Sequence, residues 1–282
     1  MNTDYKVRYP AVMTIAGSDS SGGAGIQADL KTFSALGVYG TSAITAITVQ
    51  NTLGVRDIQA VSPSILRGQI EAVLEDIPID AVKIGMLHNK EAVSIVLEMM
   101  ERFRPRWIVL DPVMISTSRC RLLESDAVGN LLEKLFARVQ LVTPNLDEAA
   151  FITGKTICSI QDMEQAGHSM LEMGCQAVLL KGGHLATIGN STDILFSKGE
   201  KPLYFSTPAV DTQNTHGTGC TLSSAITAYL ALGMPLPNAI GKAKEYITRA
   251  LMEGADVKIG HGYGPVNHLF SPCSLQKVEI TQ

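Results

Sequence analysis

Short apolar runs and longer amphipathic segments alternate along nearly the whole chain. Apolar runs of about six residues are typical of buried parallel strands, whereas apolar residues spaced three and four apart are typical of helices. The runs that predict strands are Ala11–Ala16, Ser42–Val49, Ala81–Ile84, Trp107–Leu110, Val139–Val142 and Ala177–Leu180, with Ile194–Phe196 and Leu203–Phe205 as an antiparallel edge. The segments that predict helices are Ile26–Leu36, Ile65–Leu74, Ala92–Met100, Ala127–Phe136, Met163–Met173 and Thr221–Leu232.

This alternation predicts an α/β fold in which helices cover both faces of a mostly parallel central sheet, in three layers, α/β/α. No linker, repeat or low-complexity tract divides the 282 residues. We therefore expect a polar arm over residues 1–10, one domain over residues 11–270 and a tail over residues 271–282. In open sheets of this kind, ligands bind at the carboxyl ends of the strands.

The composition excludes several classes of function. A formal net charge of −4, without any basic run, gives no reason to expect a nucleic-acid partner. No run of about 18 apolar residues predicts a membrane span, and Met1–Pro10 lacks the apolar core of a leader. The five cysteines are widely spaced and form no C-x-x-C pair. This spacing predicts reduced thiols in a cytoplasmic protein.

The most informative segment is Asn214–Cys220, which leads directly into an apolar helix. Its small residues are Thr215, Gly217, Thr218 and Gly219. Such residues at the start of a helix direct backbone N–H groups toward an anion and let a phosphate approach the chain closely. The field of the helix should also lower the pKa of the Cys220 thiol. A plain helix cap is the alternative interpretation of one glycine-rich turn.

Polar residues follow several of the predicted strands, where a ligand is expected. They include Gln50 and Lys181, and the glycine-rich loop Gly17–Gly25 and the apolar Met86 lie at similar positions. The carboxamide of Gln50 offers a donor and an acceptor side by side, which matches the edge of an aminopyrimidine. Met86 can supply an apolar wall, and the ammonium of Lys181 can meet a transferring phosphate. The alternatives are a core methionine and a solvated lysine.

Carboxylates at neighbouring strand ends suit a magnesium ion. Asp111 ends one predicted strand, and Asn145 with Glu148 opens the helix after another. Mg²⁺ takes one or two carboxylates together with phosphate oxygens. Asn145 and Glu148 equally match a helix N-cap with a capping box, because the glutamate stands three residues after the asparagine. The residues alone leave both interpretations open.

Other catalytic motifs fit weakly or do not occur. Gly23-x-Gly25-x-x-Ala28 matches the dinucleotide fingerprint poorly, because no acidic residue closes the second strand, and no P-loop Gly-Lys-Ser/Thr follows. Neither H-E-x-x-H nor G-x-S-x-G is present. The segment Gly260–Pro265 is predicted as a loop, with no role that its residues indicate.

Taken together, these segments resemble the ribokinase superfamily, and within it the hydroxymethylpyrimidine/phosphomethylpyrimidine kinases of thiamine biosynthesis. The matching segments are Ala16–Asp29, Val49–Thr52, Lys83–Leu87, Thr143–Asn145, Lys181–His184, Thr215–Cys220 and Gly260–Pro265. The resemblance implies a Mg²⁺-dependent kinase that uses ATP to phosphorylate an aminopyrimidine alcohol and then its monophosphate. It also implies a homodimer. The alternatives are a pyridoxal kinase of the same superfamily and a non-catalytic relative that only binds a ligand.

The resemblance assigns roles to single residues as well. Those that it places in the pyrimidine pocket are Gln50, Gly17, Ala24, Asp29, Met86 and Val113. Those that it places around the nucleotide and the transferred phosphate are Lys181, Thr215, Gly217, Thr218, Gly219, Cys220 and Lys244, the last beside the adenine. Asn145 and Glu148 match its element for Mg²⁺ and phosphates, which with Asp111 would hold the ion partly through water.

One position departs from the superfamily pattern. Many members carry an aspartate base where this chain has Cys220. The second acceptor is a phosphate monoester whose second pKa is about 6, so it largely arrives deprotonated and needs no base. A fixed carboxylate there would repel it. We hypothesise that Cys220 keeps the acceptor site uncharged enough for the second transfer.

Overall fold

The computed structural model describes residues 6–114, 122–124, 129, 134–183 and 189–280. The strands are β1 (Val7–Arg8), β2 (Ala11–Asp19), β3 (Tyr39–Asn51), β4 (Gly54–Ala60), β5 (Ala81–Ile84), β6 (Ile108–Leu110), β7 (Leu141–Val142), β8 (Ala177–Leu180), β9 (Asn190–Ser197), β10 (Leu203–Pro208) and β11 (Val278–Glu279). The helices are α1 (Gly25–Ala35), α2 (Pro63–Asp76), α3 (Lys90–Phe103), α4 (Leu146–Thr153), α5 (Ile160–Glu172), α6 (Thr218–Ala231) and α7 (Leu236–Met252).

Within the described ranges, nine strands form one sheet in the order β10-β9-β8-β7-β6-β5-β2-β3-β4. The strands from β8 to β3 in that order run parallel, whereas β4, β9 and β10 are antiparallel to their neighbours. The predicted mostly parallel sheet is therefore confirmed. The chain leaves β2 toward β3 on one side and later places β5 on the other. This reversal is the point of an open α/β sheet where ligands bind, beyond the carboxyl ends of the strands.

Alternate side chains of the strands enter two apolar layers, one on each face of the sheet. In β2, Met13 and Ile15 pack with α2, α3, α4 and α5, whereas Val12 packs with α1, α6 and α7. Val82 and Ala81 of β5 divide in the same way. This follows from the two-residue period of a strand, whose successive side chains point to opposite faces. The three layers α/β/α are as predicted.

Most predicted strands and helices are present, but β4, α7 and the two short terminal strands β1 and β11 are missing from the prediction. The segment Gly54–Ala60 of β4 forms an edge strand, largely exposed and antiparallel to β3, so it carries no apolar run. The helix α7 does carry a helical period, because Ala239, Ile240, Ala243 and Ile247 are buried on one side. The predicted antiparallel edge at β9 and β10 is confirmed.

The two ends of the chain meet on the surface of the domain. Val7–Arg8 pairs antiparallel with Val278–Glu279, which joins the expected arm to the expected tail. The backbone amide of Gln276 donates to the backbone carbonyl of Gly37, just beyond α1. The helix predicted over Ala127–Phe136 lies mostly outside the described residues, as does His184. Among the helices described, none has the length and apolar character needed to cross a bilayer.

Candidate active site

The first turn of α6 forms one wall of the candidate site. Gly217 caps the helix with φ +80°, a left-handed conformation that favours glycine. A Cβ on this residue would also lie 1.8 Å from the carbonyl oxygen of Gly23, so the two loops approach too closely for any side chain. Thr218 Oγ1 donates to the carbonyl of Thr215 at 2.6 Å and closes the turn. The backbone amide of Thr218 donates to the same carbonyl at 3.2 Å, so the amides of Gly219 and Cys220 are those of the first turn left for an anion.

A lysine and an aspartate from two other strand ends reach this turn. Lys181 Nζ donates to Asp111 Oδ1 at 2.8 Å, and Thr143 Oγ1 donates to the same carboxylate oxygen at 3.1 Å. A Cβ on Gly219 would lie 3.2 Å from Lys181 Nζ and 3.6 Å from Asp111 Oδ2. The structure therefore brings Gly219, Lys181 and Asp111 together, although they are far apart in the sequence.

Glu148 lies beside this pair and serves as a helix cap. Asn145 Oδ1 accepts from the amide of Glu148, and Glu148 Oε2 accepts from the amide of Asn145, both at 2.8 Å. The capping box is therefore present. Burial raises the pKa of Glu148 to about 7, while Lys181 lowers it and Asp111 raises it further. A carboxylate that is buried near a second carboxylate holds its charge poorly unless a cation comes close.

The expectation for the Cys220 thiol is wrong in direction. Burial raises its pKa to about 11, and the charges of Asp29 and Asp111 act in the same direction, against that of Lys83. The helix position suggested a lowered pKa, but it did not show the two carboxylates that face the sulfur. The thiol is neutral at physiological pH.

Several of the residues expected around a pyrimidine lie near the carboxyl ends of β2, β3 and β5. Thr48 Oγ1 lies 3.1 Å from Gln50 Oε1, and Gln50 Nε2 lies 3.4 Å from His216 Nε2. A Cβ on Gly17 would lie 3.0 Å from Met86 Sδ, so Met86 packs directly on the backbone of β2. Nearby apolar side chains form one cluster: Ala46, Met86, Leu122, Val55, Ile58 and Val113. The cluster supplies an apolar wall next to the Gln50 amide.

Asp29 does not line this pocket in the structure. Its side chain is fully buried, and Lys83 Nζ approaches it at 2.9 Å. Thr14 Oγ1 and Ser224 Oγ each donate to the same carboxylate at 2.6 Å. Burial by itself would lower the pKa of Lys83, but the charges of Asp29, Cys220 and Asp111 raise it. Asp29 therefore stands beneath the site, as half of a buried ion pair.

Two residues that the sequence analysis did not single out hold the loops of the site together. Asp19 accepts hydrogen bonds from the amides of Gly23 and Ala24, and it lies 2.8 Å from His216 Nε2. Burial by itself would raise the pKa of Asp19, but the hydrogen bonds from His216 and Ser21 lower it to about 2. Ala24, expected in the pocket, is thus fixed through its backbone. An aspartate ahead of a glycine-rich loop was the available signal.

Lys244 lies on α7. Its Nζ donates to Asp193 Oδ2 at 2.8 Å and to Ser191 Oγ at 2.9 Å. Asp193 Oδ1 in turn accepts from the amide of Gly182, the residue after Lys181. The expected neighbour of the nucleotide is therefore linked to the backbone that carries Lys181.

Comparison with known sequences gives one consistent family. The sequence model of the family described as phosphomethylpyrimidine kinase matches residues 19–267. The hydroxymethylpyrimidine/phosphomethylpyrimidine kinase of Rhizobium meliloti is 48% identical over 257 residues, which are 91% of this chain and 96% of that protein. The thiamine biosynthesis bifunctional protein ThiED of Geobacter sulfurreducens is 47% identical over 261 residues, and the match covers 93% of this chain but only 52% of that longer protein.

Solved structures agree in fold. The phosphomethylpyrimidine kinase of Clostridium difficile is 47% identical, with a TM-score of 0.75, 86% of this chain covered and 99% of that chain. The ADP complex of Bacillus subtilis pyridoxal kinase is 34% identical, with a TM-score of 0.85, 93% of this chain covered and 98% of that chain. Both similarities extend over most of this chain and nearly the whole of the solved chain.

Proposed function

The chain belongs to the phosphomethylpyrimidine kinase family, and we propose that it transfers phosphate from ATP to 4-amino-5-hydroxymethyl-2-methylpyrimidine. A second transfer, to the resulting monophosphate, gives the diphosphate used in thiamine biosynthesis. The observation that carries the proposal is the contact between Gln50 and His216, which directly precedes the anion-binding turn of α6. An amide suited to an aminopyrimidine is thereby joined to a site suited to a transferring phosphate.

We assign recognition of the pyrimidine to Gln50 and to the apolar wall beside it. The carboxamide can donate to a ring nitrogen and accept from the exocyclic amine of the same edge. Met86 and Val113 belong to the apolar cluster that would pack on the ring. Such walls disfavour a charged ligand, since burying an unpaired charge is costly. This combination supports an uncharged heterocycle as the acceptor.

We assign the transfer step to the first turn of α6 and to Lys181. Phosphoryl transfer passes through a loose transition state, so the protein contributes mainly positioning and charge stabilisation. The amides of Gly219 and Cys220 lie in the first turn of the helix, and Lys181 Nζ lies close to Gly219. Thr215 borders the same turn, and Lys244 is linked to the backbone after Lys181, which supports placing the rest of the nucleotide on that side.

The carboxylates of Asp111 and Glu148 fit a magnesium ion. The pKa of Glu148 is raised to about 7, as expected where carboxylates crowd together without enough positive charge. No group of three His, Cys, Asp or Glu side chains among the described residues could hold a metal, so phosphate oxygens and water would complete the ligands, as is usual for Mg²⁺. Asn145 uses its side-chain oxygen in the capping box and would act through water. When bound, Mg²⁺ supplies charge neutralisation to the phosphate oxygens.

A product assay tests the proposal directly. The protein is incubated with ATP, Mg²⁺ and the aminopyrimidine alcohol, and the mono- and diphosphate products are separated by chromatography. We expect both products, appearing in that order. Pyridoxal is the second acceptor to include, because the similarity to the Bacillus subtilis pyridoxal kinase, with a TM-score of 0.85, favours a side activity of that kind. Absence of turnover on both acceptors would identify a non-catalytic relative.

We propose that Cys220 serves the second transfer by remaining neutral. Its pKa, raised to about 11, means that the thiol adds no negative charge where a phosphate monoester must dock. Cys220→Asp should keep part of the alcohol phosphorylation and lose most of the monophosphate phosphorylation, whereas Cys220→Ser should keep both. Separate assays of the two acceptors measure this. Equal loss of both activities in C220D would contradict the assignment.

Homodimerisation and a cytoplasmic location stay predictions. Ile47 and Val49 of β3 and Leu53 of the following turn are more than half exposed, and such an apolar surface on one side of a sheet edge supports a partner subunit there. Light scattering coupled to gel filtration measures the mass. A monomer at micromolar concentration would contradict the dimer.

A further inference from the structure

One imidazole stands between the two halves of the proposed site. His216 Nε2 lies 2.8 Å from Asp19 Oδ2 and 3.4 Å from Gln50 Nε2. The residue is buried and directly precedes Gly217, the cap of α6. A single side chain therefore contacts the amide assigned to the pyrimidine and belongs to the turn assigned to the phosphate.

The neighbours of His216 determine where its proton lies. Asp19 has a pKa of about 2, so its carboxylate is ionised and can only accept hydrogen bonds. The Nε2 atom at 2.8 Å must therefore carry a hydrogen and donate it to Asp19. A nitrogen that donates in this way cannot also accept from the Gln50 amide. The amide hydrogens of Gln50 are thus left for a ring nitrogen of the substrate, while Thr48 contacts the other end of the amide.

Steric contacts also hold the loop after β2 against the turn before α6. A Cβ on Gly23 would lie 2.4 Å from His216 Cδ2, and one on Gly217 would lie 1.8 Å from the carbonyl oxygen of Gly23. Asp19 also accepts from the amide of Gly23. The loop after β2 and the turn before α6 therefore cannot shift independently, since His216 fills the space that glycine leaves open.

We propose that His216 is a positioning residue that couples acceptor binding to phosphate binding: it is fixed by Asp19, restricts the Gln50 amide by steric contact and leads directly into the first turn of α6. This inference rests on the proposed function. Order imposed on Gln50 by a bound pyrimidine is passed through the imidazole to the turn that grips the nucleotide phosphates. By thermodynamic linkage, a bound nucleotide then raises the affinity for the pyrimidine by the same factor.

Isothermal titration calorimetry measures this coupling without turnover. The aminopyrimidine alcohol is titrated into the protein alone and into the protein saturated with ADP and Mg²⁺. We expect the nucleotide to raise the pyrimidine affinity by about fivefold or more in the wild-type protein. His216→Ala should abolish the increase while retaining ADP binding within about threefold. His216→Gln, which offers an N–H at a similar reach, should restore part of it. The exposed His261, on the neighbouring loop, provides the control His261→Ala, which should behave as wild type.

A double-mutant cycle separates positioning from loss of structure. Gln50→Ala and His216→Ala should each raise the KM for the pyrimidine, and the double variant should be little worse than either alone, because the two residues act as a unit. Gly23→Ala provides a second route, since it displaces the imidazole while keeping the histidine. Additive effects in the cycle, or equal pyrimidine affinity with and without ADP in the wild-type protein, would overturn the inference. Wild-type turnover would leave the proposed function standing in that case.

Discussion

Two lysine–aspartate pairs lie near the same end of α6, and their surroundings differ. Lys83 of β5 meets Asp29 of α1 at 2.9 Å, and neither side chain has exposed surface. Lys181, just after β8, meets Asp111, just after β6, at 2.8 Å, and 13% of the Lys181 side chain is exposed. The first pair is closed inside the fold, whereas the second opens toward the strand ends where a ligand is expected.

The hydrogen-bond partners reinforce this difference. The Asp29 carboxylate is also held by the hydroxyls of Thr14 and Ser224, so its acceptors are used within the protein. Among the described residues, Asp111 has one hydroxyl partner, Thr143, and it shares the region with Glu148, whose pKa is raised to about 7. A closed and fully bonded pair fixes the strand to the helices, while an open pair with a surplus carboxylate keeps charge available for a ligand. We therefore propose that the same residue types serve structure in one place and chemistry in the other.

The largest effect is expected from breaking the closed pair. Lys83→Met leaves Asp29 buried without its counter-charge, which should lower the free energy of unfolding by about 3–5 kcal/mol. Urea denaturation followed by circular dichroism measures the loss. The double variant Lys83→Met with Asp29→Leu should recover most of it, because an apolar replacement of a whole buried pair is often neutral. A loss below about 1 kcal/mol in the single variant would show that the pair is not desolvated as described.

The open pair should respond in activity more than in stability. Lys181→Met should lower kcat by about 100- to 1000-fold, the usual cost of removing one preorganised stabilising group. Its free energy of unfolding should fall less than that of K83M, because the Lys181 side chain is partly exposed and its removal opens Asp111 to solvent. Steady-state kinetics and urea denaturation are compared on the same preparations, with the exposed Lys242→Met as control. The comparison fails if K181M is the less stable variant and retains its kcat.

Sequence patterns sufficed where a rule is local or depends on strand ends. Gln50, Asp111 and Lys181 follow predicted strands, and the parallel sheet places such residues at one edge. Gly217 and Gly219 were predicted at a helix start, which is a local signal. Most strands and helices were predicted for the same reason, since the spacing of their apolar residues is a local property of the sequence.

The features that the sequence did not predict depend on contacts between residues far apart in the chain. Lys83 lies inside a four-residue strand, and nothing near it in sequence indicates that it meets Asp29 or that Ser224 donates to the same aspartate. Long-range contacts also explain why the pKa of Cys220 was predicted in the wrong direction. The sequence indicates the helix, but it does not indicate the burial of the thiol or the nearby carboxylates. His216 was passed over since its partner Asp19 is almost two hundred residues away.

Glu148 tests whether the open site lacks positive charge. Its pKa rises from the usual 4.5 to about 7 in the folded protein. Between these values the native state binds more protons than the unfolded state, so this group makes stability fall as the pH rises toward 7, and the loss persists above it. Glu148→Gln should therefore gain stability relative to wild type between pH 5 and pH 8, by about 3 kcal/mol at most. Urea denaturation at both pH values measures the difference.

The same stability measurement with added Mg²⁺ tests whether Glu148 binds the ion. If Mg²⁺ binds the ionised carboxylate, millimolar Mg²⁺ at pH 8 should stabilise the wild-type protein and leave Glu148→Gln nearly unchanged, because a ligand stabilises the state that binds it. At pH 5 the effect should shrink, since the carboxylate is then protonated and a proton must leave before metal binds. A stabilisation by Mg²⁺ that is equal in both proteins would place the ion elsewhere.

The smallest effect is expected from removing one hydrogen bond to the closed pair Lys83–Asp29 while the ion pair itself stays intact. Ser224→Ala removes one of the hydroxyls that donate to Asp29 but keeps Lys83 and Thr14 in place. A hydrogen bond to a charged group contributes about 1.5 kcal/mol or more, so the free energy of unfolding should fall by about that amount. Because the closed pair only supports the site, kcat should stay within about threefold of wild type by the size of such indirect effects. A tenfold loss of kcat would mean that the charge of Asp29 reaches the reacting groups, and the distinction between the two pairs would then fail.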